Sequence, residues 1–155
     1  MARQKQVFTN DQITGKFLEQ SQEYGRTFNE SMYFRNNVMY SYGSHFVMAI
    51  LVGNDLLIAQ RKSSVTTNKH LAALSSDASR AGFNVVEVLN VEASSDEEHA
   101  NNIADLESQL EHAKAKAGRA RTPLNVDYWE SVAAGTGQAI IKYLEIISRR
   151  IARVA

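Results

Sequence analysis

The sequence predicts an α+β fold: a small antiparallel β-sheet with one packed helix, followed by a long C-terminal αα-hairpin. Three observations carry this. Between residues 31 and 92, runs rich in β-branched and aromatic residues are separated by the turn signals Asn36-Asn37 and Gly53-Asn54-Asp55. One stretch, Asn68 to Gly82, interrupts them with apolar residues at helical spacing. Beyond residue 93 the strand pattern stops, and apolar residues recur three and four apart. A chain of 155 residues, 44% apolar and 22% charged, suits one domain that buries a core without metals or disulfides. The expected organisation is a single domain, 1–155: an N-terminal arm over 1–30, sheet and helix over 31–92, and a helical hairpin over 93–155.

The arm is polar. Asn10 is placed to cap a short helix with Ile13 and Phe17 four apart on one face, docked weakly on the body, and Gly25 ends that stretch. Adjacent Asn36 and Asn37 tolerate positive φ and fit a tight hairpin turn. Gly43 breaks the next run before the apolar stretch 46–52, and Leu56, Leu57 and Ile58 begin the returning strand. In the helix that follows, His70, Leu71, Leu74 and Ala78 share one face. A Thr66 or Thr67 hydroxyl caps its start, and Gly82 suits its C′ position. Residues 83–91 read as one more strand.

Ser95 followed three residues on by Glu98 is a capping box. Behind it Ile103, Leu106, Leu110, Ala113 and Ala117 form a narrow 3-4-3-4 seam, closed by Gly118 and Pro123. Asp127 is expected to cap the last helix, whose stripe runs through Trp129, Ala133, Thr136, Ile140, Tyr143, Ile147 and Val154. Gly135 and Gly137 inside it cost roughly 1 kcal/mol each relative to Ala, which a close helix–helix crossing would explain. No strand precedes them and no Lys-Ser/Thr follows, so a P-loop is excluded. Ile141, Leu144, Ile146 and Ile151 widen the apolar face beyond one stripe. Self-association through the C-terminal helices would cover that width.

Composition narrows the function classes. Without cysteine there is no thiolate metal site, cysteine nucleophile or disulfide framework. The first residues carry no apolar signal segment, and the longest apolar run, Phe46–Val52, is far short of a membrane span. No membrane partner and a cytoplasmic location are therefore expected. Seventeen basic and seventeen acidic side chains balance, which disfavours duplex DNA as partner. The signs are segregated: residues 87–111 hold eight acids and no Lys or Arg. Lys114, Lys116, Arg119, Arg121, Arg149, Arg150 and Arg153 follow, as expected of solvated helix faces or of a basic phosphate-binding patch.

Polar chemistry concentrates in two blocks, Tyr40-Ser41-Tyr42-Gly43-Ser44-His45-Phe46 and Ser63-Ser64-Val65-Thr66-Thr67-Asn68-Lys69-His70. The first joins two strands and the second leads into a helix N-terminus, and a meander can bring both to one end of the sheet. The candidate ligand- or partner-binding residues are Tyr40, Tyr42, Ser44, His45, Thr66, Thr67, Lys69 and His70. Hydroxyls, Lys69 and imidazoles at a helix start suit an anion, and the tyrosines suit a base or ring edge. His45 and His70 with a hydroxyl would suffice for phosphoester or acyl chemistry. No acid lies near either in sequence, however, and the paired His-x-Ser/Thr pattern is absent. Asp96, Glu97 and Glu98 belong to a helix cap, and His99 lies near the seam as a packing residue. No metal or other cofactor is expected.

These two blocks, YSYGSHF and SVTTNKHL, resemble a family of uncharacterised phage and mobile-element proteins over about residues 31–80. The resemblance implies a viral or prophage origin and, by association, an inhibitor of host defence or an accessory binding protein. The expected function is thus non-catalytic: binding a host protein or sequestering a small nucleotide-like ligand. A small phosphoester hydrolase or transferase using His45 and His70, and a structural homo-oligomer, are the alternatives.

Overall fold

The computed structural model describes residues 4–41, 46–60 and 65–154, and the side chains of 65 and 150–154 are not included. Chain contacts divide it into two compact units, 1–87 and 88–155. Among the described residues the fold is mixed α+β, with a seven-stranded sheet, four helices and a packed C-terminal helix pair.

In the first unit β1 (Val7–Phe8), β2 (Tyr24–Thr27), β3 (Met32–Arg35), β4 (Val38–Ser41), β5 (Phe46–Val52) and β6 (Asp55–Ala59) lie side by side in chain order. β1 runs parallel to β2, and from β2 to β6 every neighbour is antiparallel. β7 (Asn84–Val88) completes the far edge, its last residue opening the second unit. The two-residue connections at Asn36-Asn37 and Gly53-Asn54 form as the sequence predicts, with positive φ at Asn36 and Gly53. A bulge between Met39 and Tyr40 shifts the register of β4 on β5.

The arm departs from expectation. Helix α1 (Asn10–Glu19) is capped from Thr9 rather than Asn10, and Gln12 accepts from the Thr9 amide at 3.2 Å. Gln20 ends it in a left-handed conformation. Docking is firm, because Ile13 and Phe17 are fully buried, each contributing roughly 1.5–3 kcal/mol. Gly25 lies inside β2, opposite Phe34. A Cβ there would stand 2.6 Å from the Phe34 ring, so only glycine lets that ring cross the strand.

Helix α2 (Val65–Arg80) buries His70, Leu71, Leu74 and Ala78, the face read from the sequence. It already includes Val65, so Thr66 and Thr67 stand in its first turn and not at its cap. Gly82 takes φ +88° after its end. Both α1 and α2, rather than one helix, pack on the sheet, and they meet each other through Thr14 and Asp77.

In the second unit α3 (Asp96–Arg119) carries the predicted capping box, with Glu98 N donating to Ser95 Oγ at 3.1 Å and Ser95 N to Glu98 Oε1 at 3.2 Å. Asp96, Glu97 and Glu98 sit in its first turn and Lys116 and Arg119 in its last, complementing the helix dipole. Leu106 and Ala113 of the predicted seam are buried, and Gly118 is helical rather than terminal. Helix α4 (Pro123–Val154) starts earlier than Asp127 suggested. Thr122 accepts the Asn125 amide, and Pro123 occupies the first helical position, where its missing N–H forfeits no bond. Among the described side chains of the expected stripe only Tyr143 is buried, joined by Ile146. Gly135 and Gly137 do not mark a close crossing: a Cβ at either would meet nothing within 4 Å.

Candidate functional site

The two polar blocks do meet. His70, near the start of α2, reaches the end of β4, where its Nδ1 lies 3.2 Å from Ser41 Oγ. Both residues are buried. Burial pushes the His70 imidazole below its ordinary pKa, because the charged ring would lose its hydration. Thr67 is buried beside this turn of helix, whereas Thr66 and Lys69 are exposed. Tyr40 stands on the opposite side of β4 from Ser41, since successive strand residues face opposite ways. The structure therefore separates Tyr40 from His70. Tyr42, Ser44 and His45 lie outside the described residues.

Tyr40 has other company. The Asn36-Asn37 turn fixes the register of β3 on β4, pairing Tyr33 with Tyr40 and Arg35 with Val38. On the other side of β3, Tyr24 pairs with Arg35 and Arg26 with Tyr33. One face of β2, β3 and β4 thus presents Tyr24, Arg26, Tyr33, Arg35, Val38 and Tyr40, while Gly25, Phe34 and Met39 fill the core behind them. The Tyr33 and Tyr40 rings stack with centroids 4.7 Å apart and planes 11° apart. Tyr24 is 6.5 Å from Tyr33, and the Arg35 guanidinium lies 5.9 Å from the Tyr24 centroid. Burial, and then the neighbouring Tyr40 hydroxyl, raise the Tyr33 pKa, so this phenol keeps its proton.

The sequence reading missed Tyr24, Tyr33 and Arg35. The signal was present: a two-residue turn after Arg35 places residues 33 and 40 opposite each other, and alternation puts both on one face.

A second polar cluster lies in the 88–155 unit. Asn102 is fully buried on α3 and accepts the Asn90 amide at 2.8 Å. Its Nδ2 donates to Asn90 O and to the Tyr143 hydroxyl, both at 2.8 Å. The Tyr143 hydroxyl also shares a hydrogen bond of 2.7 Å with His99 Nδ1. This cluster ties α3 to α4 and to the segment before α3. Trp129 meets the His112 ring edge-on at 5.8 Å and Tyr128 at 5.1 Å.

Among the described residues no group of three or more His, Asp or Glu is placed to hold a metal ion, and no helix is long and apolar enough to cross a membrane. The fold and these surfaces define a mixed α+β protein with a tyrosine–arginine sheet face and a C-terminal helix pair. Compared with known proteins, the chain matches no family model, no curated protein and no solved structure.

Proposed function

We propose that this chain is a non-catalytic accessory protein of the phage type, an inhibitor of host antiviral defence that acts in the cytoplasm by binding. Its target is a host protein or a small nucleotide-like ligand that it sequesters. The observation that supports binding over chemistry is the seat of His70. A general acid or base must reach its substrate and exchange protons near neutral pH. His70 is buried, held at Ser41 and disfavoured in its charged form. The resemblance over residues 31–80 supports the phage origin.

Two assays test this. Incubation with nucleotide and phosphodiester substrates, read by chromatography, is expected to yield no product above the protein-free control; turnover abolished by His70→Ala would establish the hydrolase instead. Expression in a host carrying an antiviral defence is expected to restore plaques of a phage that the defence restricts. Unchanged plaque counts across a panel of such defences would remove the inhibitor reading.

One observation favours a second reading, the structural homo-oligomer. Ile141 and Leu144 are 52% and 46% exposed on α4, beside half-buried Ile140 and Ile147.

A further inference from the structure

The outer face of β2, β3 and β4 is laid out as two rows across the strands. Arg26, Tyr33, Tyr40 and Val47 form one row, and Tyr24, Arg35, Val38 and Ile50 the other. The first row carries a ring stack that, among the described residues, ends at Tyr40. Tyr40 has Tyr33 against one side of its ring, and the residue paired with it on β5 is half-buried Val47. No other described ring contacts Tyr40. A flat ring placed over Val47 would continue the Tyr33–Tyr40 stack.

The two cations on this face differ. Arg26 donates to the carbonyls of Thr27 and Phe28 and pairs with Glu30 at 3.8 Å, so its charge is largely answered. Arg35 is exposed and makes no hydrogen bond or ion pair among the described residues. Its guanidinium rests 5.9 Å from the Tyr24 centroid, and its backbone stands two strands from Val47. At 4.7–4.9 Å per strand that is a lateral span of roughly 10 Å. A base and its 5′-phosphate, with an extended arginine side chain, bridge such a distance.

Resting on the binding reading above, we infer that this face is a nucleotide site: a nucleobase extends the Tyr33–Tyr40 stack over Val47, and its phosphate is held by Arg35. Base–aromatic stacking contributes about 1–3 kcal/mol per base and tolerates any base, since each has a π-face. A guanidinium meets phosphate oxygens in a fork geometry. Balanced net charge suits a single nucleotide or a short unpaired strand, whose few phosphates need few cations. A duplex hides its bases from such a surface. The required chemistry, an exposed base with a phosphate, is offered by a free nucleotide or by single-stranded nucleic acid.

The test is equilibrium binding to the full chain of adenosine monophosphate, adenosine, a fluorescent ten-residue deoxyadenosine strand and the matching duplex. Variants are Tyr40→Ala, Tyr40→Phe and Arg35→Glu. The wild type is expected to bind the nucleotide and the single strand at least tenfold more tightly than the duplex. Tyr40→Ala should weaken binding tenfold or more, whereas Tyr40→Phe, which keeps the ring, should hold within about threefold. Arg35→Glu, on an exposed side chain, should leave melting unchanged and weaken adenosine monophosphate tenfold while sparing adenosine. Equal affinity for the mononucleotide and the strand would identify a free nucleotide as the ligand; strand binding alone would identify single-stranded nucleic acid. Absence of binding by the wild type, or binding untouched by both Tyr40→Ala and Arg35→Glu, overturns the site. Neither result bears on the absence of turnover, so the non-catalytic reading stands or falls separately.

Discussion

At the scale of single residues, His70 shows how position outweighs residue type. An imidazole beside hydroxyls and a lysine reads as chemistry in the sequence, yet it closes the end of the sheet by meeting Ser41. Its hydrogen bond replaces hydration lost on burial, so His70→Ala is expected to lower stability by about 1–3 kcal/mol, measured by denaturant unfolding. Its titration adds a pH dependence. The fold holds the neutral ring, with a pKa below the ordinary 6.5. The stabilisation is therefore complete above about pH 6.5 and is lost as pH falls through the lower folded value. Thermal melting followed from pH 7.5 to 4.5 is expected to decline on the acid side, with a shallower decline in His70→Gln. Superimposable acid limbs would assign the loss to other groups.

Among the elements, α3 and α4 show how far a period can be trusted. The capping box and the Leu106 and Ala113 seam were legible because both are local patterns along one helix. Asn102 was not, because a polar residue next to a seam reads as solvent-facing until Asn90 and Tyr143 are brought to it. Replacing it by Leu would strand Asn90 N and Asn90 O without their side-chain partners, and a loss of about 1–3 kcal/mol is expected from chemical denaturation. The glycines of α4 test the opposite case. Since Gly135 and Gly137 face open space, Gly135→Ala and Gly137→Ala are each expected to raise stability by roughly 1 kcal/mol, from helix propensity and lower unfolded-state entropy. A melting temperature lowered by either substitution would mean that something packs on that backbone.

For the whole molecule, the apolar residues left on α4 bear on assembly. Ile141 and Leu144 expose more surface than a lone helix pair needs to, and contiguous apolar surface tends to be covered by a partner. Sedimentation at tens of micromolar is expected to show a mass above the monomer, returning to the monomer in the double variant Ile141→Glu, Leu144→Glu. A wild-type monomer at that concentration would remove the oligomer reading and leave the nucleotide site untouched, since that site lies on the sheet of the other unit.

The sequence by itself determined the class of fold, the two tight turns, the buried face of α2 and the capped start of α3. Each follows from residues within a few positions of one another: positive φ at Asn36 and Gly53, a helical period, a side chain reaching its neighbour's amide. Tertiary structure decided the rest. It placed Gly25 under Phe34, set the start of α4 at Pro123 and gave Asn102 its partners. It also split the proposed polar cluster, turning His70 into the core and Tyr40 out toward Tyr33. The physical reason is common to these cases. Burial and partnership are properties of pairs far apart in the chain, and strand alternation sends neighbours in sequence to opposite faces of a sheet.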